Sequence, residues 1–332
     1  MSADLLVCPG CRTYTHDAHG ELRIDVRSLE LQGELLGCAC GRRYPVIDGV
    51  PIVLADPDSF FRAELATLVE RDLPVEVAAL LAASGPDDAP YPRLLEHLSI
   101  YLDALWGDRA EPRPDGPGVG FAAAAVVERI RERARDRVGV AVELGCSTGR
   151  IVAELAAGAD RVIGVDLHFG SLRRARRLLA GETVTYARRV AGRHYTAATV
   201  AGERVVNAEV VCGDALDPPL VPGAFDRVVA LNVLDSVRDP RQLLAVVDGL
   251  CRSGGEVILS SPYAWQSGVM DEAARLGGAD PAGEVRRILR EGDGLGARYH
   301  IEDEAELPWT LRRDARSAVA YCIHYVRARK TR

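Results

Sequence analysis

At 332 residues, 48% of them hydrophobic, the chain is long enough for one large domain and a small second one. Its net charge of −7 argues against a general nucleic-acid-binding surface, which would be basic. No apolar run is long enough to cross a bilayer and no signal peptide is evident, so we expect a cytoplasmic protein whose eight cysteines are thiols or metal ligands rather than disulfides.

Four cysteines lie in two close pairs near the start of the chain. Cys8 and Cys11 form a CxxC sequence, and Cys38 and Cys40 follow as CxC. Four thiolates suit tetrahedral zinc, and a small module with few core residues needs such a cross-link. A redox-active CxxC is the alternative, but no βαβ pattern surrounds it and a second cysteine pair is present.

The segment after the second pair, residues 41–54 with the sequence GRRYPVIDGVPIVL, resembles the Trm112-like zinc-ribbon family. The CxC spacing departs from the CxxC that is common in that family. The resemblance implies a zinc-binding unit over residues 1–55, and in that family the unit is a partner or stabiliser of methyltransferases. A folding cross-link with no part in chemistry is the simpler interpretation of such a closed site.

A mixed segment, residues 56–137, separates this unit from the remainder. Apolar residues at helical spacing predict helices over 60–81, with a break at Pro74, and over 94–106 and 126–135. Proline- and glycine-rich sequence at 111–120 predicts a linker or lid loop. The segment is therefore predicted to be a helical linker or lid. Tyr101 either faces a substrate or packs in the lid.

Residues 138–166 have the pattern of a strand, a tight turn, a helix and a second strand. Gly145 and Gly149 allow the backbone of the turn to approach a ligand closely, and the helix N-terminus behind them favours polar or anionic groups. Asp166 ends the second strand about 20 residues after the first glycine, where a doubly wound sheet holds ribose hydroxyls.

Three interpretations of this turn compete. A dinucleotide site lacks its second glycine, because Ser147 stands there. Residues 145–149 also spell the G-x-S-x-G of a nucleophile elbow, but a cysteine-rich module and helices precede them instead of the strands that fold needs. Finally, Glu143-x-Gly145-x-Ser147-x-Gly149 resembles the first motif of class I S-adenosylmethionine-dependent methyltransferases.

Later segments favour the third interpretation. Residues 210–215, 225–232 and 254–260 resemble, in order, the third, fourth and fifth strand segments of that family. Strand and helix alternate from residue 138 onward, as in a parallel sheet. The expected fold is α/β: a Rossmann-like, seven-stranded class I methyltransferase sheet over residues 138–332, with a small N-terminal zinc ribbon and a helical lid.

The resemblance implies S-adenosylmethionine as cofactor. Asp166 would accept hydrogen bonds from the ribose, and Asp214 would accept one from the adenine amino group. Ligands of such sheets bind beyond the carboxyl ends of the strands. The implied cofactor-binding residues are Glu143, Gly145, Cys146, Ser147, Gly149, Asp166, Leu167, Asp214, Ala215 and Asn232.

Three further segments, residues 231–236, 260–265 and 307–313, resemble the methyltransferase domain that N-methylates the imidazole of thiohistidine in ovothiol biosynthesis. The long connection 183–206 could fold over the substrate. His168, His194 and Asp235 are candidate bases, which are needed only if the acceptor is protonated. The predicted catalytic residues are Asn232, Asp235, Tyr263, His194 and Tyr101.

Two elements complete the expected sheet domain. Residues 270–290 are predicted to be helical. Residues 307–313 and 317–327 are predicted to form an antiparallel hairpin that closes the sheet edge.

The predicted function is methyl transfer from S-adenosylmethionine to a small amino-acid-like or imidazole acceptor in secondary metabolism. One alternative is an RNA or protein methyltransferase, which the zinc unit suggests but the acidic charge disfavours. Another is a protein of this fold with non-methylating chemistry or a binding role. We expect a small-molecule substrate, no membrane and no nucleic acid, and a protein partner or homodimer is compatible with the sequence.

Overall fold

The computed structural model describes residues 3–16, 22–86, 88–116 and 121–331. Its helices are α1 (Pro57–Leu68), α2 (Val75–Ala83), α3 (Pro90–Trp106), α4 (Ala124–Arg133), α5 (Arg150–Ala156), α6 (Phe169–Leu179), α7 (Pro240–Leu250) and α8 (Pro281–Glu291). Its strands are β1 (Thr13–His16), β2 (Leu22–Asp25), β3 (Glu30–Gln32), β4 (Leu35–Gly37), β5 (Arg43–Ile47), β6 (Val50–Pro51), β7 (Ala110–Glu111), β8 (Val138–Leu144), β9 (Ala159–Asp166), β10 (Thr183–Ala191), β11 (His194–Ala201), β12 (Ala208–Cys212), β13 (Phe225–Leu231), β14 (Cys251–Ser261), β15 (Tyr299–Arg312) and β16 (Ala318–Lys330).

A seven-stranded mixed sheet organises the larger part of the molecule. Its strand order is β12-β9-β8-β13-β14-β16-β15. The first five strands are parallel, and β16 and β15 are antiparallel to their neighbours. The parallel strands are almost continuous apolar runs because both faces of the sheet are covered. The α/β fold and the closing hairpin are both confirmed.

Different elements cover the two faces of the sheet. On one face, Leu102 of α3, Ile130 of α4, Leu155 of α5 and Phe169 of α6 belong to a single buried cluster. The other cluster combines α7 and α8 with apolar residues of the N-terminal unit, such as Leu6. The N-terminal unit therefore shares a core with the sheet domain.

The N-terminal unit consists of the β1–β2 hairpin and a four-stranded sheet in the order β3-β4-β5-β6. It docks at the edge of the large sheet. Ile52 forms a parallel bridge with Cys212, and the Val53 amide donates a hydrogen bond of 2.8 Å to the Cys212 carbonyl. On the other side of this contact, Leu6 pairs with Leu220. The unit therefore covers part of the open edge of β12.

The segment predicted to be a lid contains helices α1 to α4. The predicted break at Pro74 is present, because this proline directly precedes α2. The apolar spacing was a poor guide to burial here, since Leu65, Val69 and Leu80 are 58%, 71% and 72% exposed. Part of the predicted 111–120 loop, residues 117–120, lies outside the described residues. Among the described residues, no helix is long and apolar enough to span a membrane.

Two predicted elements differ from the structure. The segment 183–206 is not an open loop but the β10–β11 hairpin, which pairs with β7 in a separate three-stranded sheet. The helix expected over 270–290 starts only at Pro281. Gly277 and Gly278 adopt positive φ angles of 70° and 52°, which interrupt a helix, and Asp280 then caps α8 by accepting the Gly283 amide.

Candidate active site

A cavity of about 570 Å³ lies beyond the carboxyl ends of the parallel strands. The loops after β8, β9, β12, β13 and β14 all contribute lining residues, as expected for a ligand site in such a sheet. Helix α3 and the β15–β16 hairpin provide further parts of the wall. Sheet topology thus brings the predicted motifs to one place.

The loop after β8 makes room for a ligand. Gly145 has a φ of +77°, and a Cβ atom there would meet Val233 Cγ2 at 2.4 Å. Glu143 Oε2 and Ser147 Oγ are buried and have no hydrogen-bond partner. Buried polar atoms normally have a partner, so these two are positioned to bind one supplied by a ligand. Gly149 does not line the cavity; its Cβ position is 2.9 Å from Ala175 of α6, which makes it a packing glycine.

Asp166, at the end of β9, connects two of the loops. Its Oδ2 accepts a hydrogen bond of 2.7 Å from the Ser147 amide, and its Oδ1 accepts one of 2.8 Å from the His168 amide. Burial raises the pKa of Asp166 above its usual range, although these hydrogen bonds act in the opposite direction. The carboxylate is therefore held by neutral backbone amides.

Asp214 occupies the corresponding place after β12. Its Oδ1 accepts the Leu216 amide at 2.8 Å, and its Oδ2 lies 3.2 Å from Arg238 Nη1. Leu167 and Ala215 line the cavity beside these two acids. The predicted acids at the ends of β9 and β12 therefore do lie around one crevice.

The N-terminal unit contacts the loop that carries Asp214. Arg12, next to Cys11, forms an ion pair with Asp217 and donates to the Pro218 carbonyl at 2.6 Å. The Val7 amide donates to the Pro219 carbonyl at 3.0 Å. The sequence does not predict this contact between the N-terminal unit and the loop after β12, because nothing in it shows which surface the unit covers.

Asn232 and Asp235 lie at the other end of the cavity, after β13. The Ser260 hydroxyl donates to Asn232 Oδ1 at 2.9 Å, which leaves the Asn232 amide nitrogen as the donor for a ligand. Asp235 is 4% exposed. Its Oδ1 accepts a hydrogen bond from the Ser261 hydroxyl, and its Oδ2 accepts one from the Ala264 amide, both at 3.1 Å. Burial raises the pKa of Asp235.

Aromatic side chains form the wall opposite these polar groups. Tyr101 of α3, Trp309 of β15 and Tyr321 of β16 line the cavity, and the last two are directly paired across the hairpin. Leu311 lies two residues beyond Trp309, on the same strand face. Trp309, Leu311 and Tyr321 were not predicted as site residues, although their alternation along the hairpin was a usable signal.

His97 of α3 also lines the cavity and was not predicted as a site residue. Its ring stacks on His168 with a centroid distance of 3.9 Å and lies 4.4 Å from the ring of Tyr101. Burial, and then the neighbouring His168, lower the pKa of His97 to about 3, and burial lowers that of His168 to about 4. Both imidazoles are neutral at physiological pH. His168 accepts the Ser171 amide and does not line the cavity.

Two predicted catalytic residues lie outside the cavity lining. Tyr263 is not among the lining residues, although its neighbours Pro262 and Ala264 are, and its hydroxyl bonds to His324 Nδ1 at 2.8 Å. His194 is exposed beside the turn of the β10–β11 hairpin. Both residues were predicted to lie near the substrate from their positions along the chain, and such positions do not give the orientation of a side chain.

Three residues near the cavity have an unusual backbone conformation. Ser147, Asn232 and Tyr263 have positive φ angles of 46°, 56° and 52°, and they follow β8, β13 and β14. A positive φ is uncommon for residues other than glycine and tends to occur at functional sites. This clustering is independent support for a site at these strand ends.

The four predicted metal ligands come together in the N-terminal unit. The sulfur atoms of Cys8, Cys11, Cys38 and Cys40 all lie within 4.8 Å of one another. The distances are 3.7 Å between the sulfurs of Cys11 and Cys38 and 4.0 Å between those of Cys8 and Cys40. Tetrahedral zinc with Zn–S bonds of about 2.3 Å places its sulfur ligands about 3.8 Å apart. The donor set and spacing suit zinc.

Residues 142–259 match the family model described as a methyltransferase domain. Together with the strand order, this match identifies an S-adenosylmethionine-dependent methyltransferase domain of class I in the chain. No curated protein matches the chain.

Several solved structures are similar to part of the chain. Magnesium protoporphyrin IX methyltransferase from Synechocystis PCC 6803 is 16% identical, with 62% of this chain and 77% of that chain covered and a TM-score of 0.40. The YcgJ protein of Bacillus subtilis is 13% identical, with 63% of this chain and 99% of that chain covered and a TM-score of 0.41. Phosphoethanolamine N-methyltransferase 2 from Haemonchus contortus is 18% identical, with 53% of this chain and 34% of that chain covered and a TM-score of 0.36.

Proposed function

We propose that this protein is an S-adenosylmethionine-dependent N-methyltransferase whose acceptor is a small amino-acid-like or imidazole molecule. The observation that carries the proposal is the two-ended cavity. One end has the fixed acids after β9 and β12, and the other has a buried carboxylate and an oriented amide opposite aromatic side chains. A volume of about 570 Å³ is within the usual range for small-molecule sites.

The residues at the first end fit the cofactor. Glu143 and Ser147 have unpaired buried oxygens, and Gly145 has no space for a side chain. Asp166 would hold the ribose hydroxyls, and Asp214 would hold the adenine amino group. When bound, S-adenosylmethionine supplies the methyl group, and the protein contributes proximity and alignment.

The residues at the second end would bind and orient the acceptor. The Asn232 amide nitrogen is free to donate because Ser260 fixes its oxygen. Asp235 accepts an N–H of the acceptor and is the candidate for removing a proton from it. Tyr101 closes the site from α3. This arrangement supports an imidazole nitrogen as the methylated atom, which is the atom methylated by the thiohistidine N-methyltransferase type.

The chain would then have three parts. Residues 1–55 form a Trm112-like unit that binds zinc through its four cysteines. Residues 56–137 form the helical lid, and residues 138–332 form the methyltransferase domain. The contacts of Arg12 with Asp217 and Pro218 support a role for the zinc unit in holding the adenine-side loop.

Calorimetry with S-adenosylmethionine and S-adenosylhomocysteine tests the cofactor end. The Asp166→Ala variant removes two charge-assisted hydrogen bonds that fix the loops, so we expect at least about a 100-fold loss of affinity. Asp160→Ala, on the same strand but exposed at its far end, is the matched control and should bind normally. Absence of binding by the unmodified protein would contradict the proposal.

Turnover tests the acceptor end. Asn232→Ala removes the oriented donor, so S-adenosylhomocysteine release with a suitable acceptor should fall about tenfold or more while cofactor affinity is retained. Unchanged kinetics in this variant would exclude Asn232 from acceptor binding.

A further inference from the structure

The cavity is strongly acidic. Four carboxylates, those of Glu143, Asp166, Asp214 and Asp235, belong to its lining. Arg238 is the only arginine or lysine among the described lining residues, and it pairs with Asp214. His97 adds no positive charge, since burial keeps it neutral. The described lining therefore has an excess of acidic over basic groups, although burial raises the pKa of Glu143 well above its usual range.

This excess is not neutralised at the acceptor end. Asp235 is buried, and both of its described partners, the Ser261 hydroxyl and the Ala264 amide, are neutral. A buried carboxylate without a cation is costly, and the upward shift of the Asp235 pKa reflects that cost. A positively charged ligand beside it would lower the cost.

The aromatic wall adds to the preference for a cation. Tyr101, Trp309 and Tyr321 line the cavity, and ring faces attract ammonium and imidazolium groups. Burial, followed by the charges of Asp166 and Asp235, raises the pKa of Tyr101, so its hydroxyl stays protonated and near both acids. The acceptor end thus combines aromatic side chains with an uncompensated carboxylate.

We propose that the acceptor subsite binds a small nitrogen base, an amine or an imidazole, that carries neither a carboxylate nor a phosphate. This inference rests on the proposed function and narrows it, because it excludes the free amino acids. An acceptor carboxylate would face Asp235 and Asp166, and among the described lining residues it would find no arginine or lysine free of an acid.

The test uses pairs of probes that differ only in a carboxylate: histamine and histidine, tryptamine and tryptophan, tyramine and tyrosine. Their binding to the full-length protein, saturated with S-adenosylhomocysteine, is measured by calorimetry. In at least one pair we expect the amine to bind about tenfold more tightly than the amino acid. Equal or tighter binding of the amino acid in every pair, or no binding by any probe, would overturn the inference.

Variants locate the effect. Asp235→Asn should weaken binding of the preferred amine about tenfold while S-adenosylhomocysteine affinity changes less than about threefold. Asp271→Asn makes the same charge change at an exposed position outside the cavity lining and should leave amine binding unaltered. Equal weakening by both variants would contradict a local effect of Asp235. Trp309→Leu, which keeps an apolar side chain, should also weaken amine binding.

The outcomes separate this inference from the proposed function. Binding and methylation of a free amino acid would leave the proposed function standing and overturn the charge preference. Failure of the unmodified protein to bind S-adenosylhomocysteine would overturn both.

Discussion

The two ends of the cavity are built in different ways. At the proposed cofactor end, Ser147, Asp166 and His168 form a compact set of contacts, and each lies within three residues of the end of a parallel strand. At the acceptor end, Tyr101 and Tyr321 meet across the site although they are more than 200 positions apart in the chain. The cofactor end depends on local loop geometry, whereas the acceptor end depends on the packing of distant elements.

One buried carboxylate holds the elements around the acceptor end together. Asp103 of α3 accepts hydrogen bonds from Arg188 at 2.9 Å, from Arg312 at 3.1 Å and from the Tyr186 hydroxyl. These contacts join α3 to the β10–β11 hairpin and to β15. The segment 183–206, whose orientation the sequence left open, packs as this hairpin against α3.

The largest expected effect comes from removing this carboxylate. Asp103→Asn leaves Arg188 buried without its anion and Arg312 with only the exposed Asp115, so we expect a loss of about 3–5 kcal/mol in the free energy of unfolding, measured with urea. Asp303→Asn breaks a partly exposed pair with Arg129 and is the control, at about 1 kcal/mol or less. Similar losses in both variants would show that the Asp103 cluster has no special role.

At the proposed cofactor end, the substitution expected to reduce cofactor affinity most is Gly145→Ala. The new Cβ would overlap Val233 and require a left-handed backbone, so cofactor affinity should fall about 100-fold or more in calorimetry. Gly254→Ala has nearly the same φ, +73°, with no atom within 4 Å, and isolates the backbone strain. Normal cofactor binding by the Gly145 variant would place the cofactor elsewhere.

A smaller effect on the same end is expected from the zinc unit. Arg12→Gln removes the ion pair with Asp217, and the loosened loop should reduce cofactor affinity about tenfold with the zinc content unchanged. Asp4→Asn breaks another ion pair between the unit and the sheet, with Arg161, but does not touch this loop. If both variants bind the cofactor normally, the zinc unit does not support the adenine side.

The smallest effect is expected at Tyr263. Tyr263→Phe loses the hydrogen bond to His324, which should cost about 1 kcal/mol of stability and leave acceptor and cofactor binding unchanged, because Tyr263 is not among the residues that line the cavity. Tyr14→Phe, at a side chain that is 62% exposed, is the control for stability. A loss of acceptor binding in the Tyr263 variant would show that this residue takes part in binding the acceptor.

The sequence by itself determined the sheet and most of the cofactor end. Apolar runs, turn glycines and acids at strand ends are local patterns, and a parallel sheet necessarily gathers its carboxyl ends at one edge. Hence Asp166, Asp214 and Asn232 could be placed around one crevice from their positions along the chain. The clustering of the four cysteines was also predictable, since their residue type and close pairing favour a metal site, and their sulfur atoms do lie within 4.8 Å of one another.

Only the tertiary structure decided which side chains complete the acceptor end. His97, Trp309 and Tyr321 come from a lid helix and a terminal hairpin, and their approach depends on how these elements pack. Tyr263 and His194 are not among the lining residues, and their positions in the sequence could not show this because sequence position does not fix side-chain direction. The docking of the zinc unit on the loop after β12 was invisible for the same reason: a surface contact between distant segments leaves no periodic pattern in the chain.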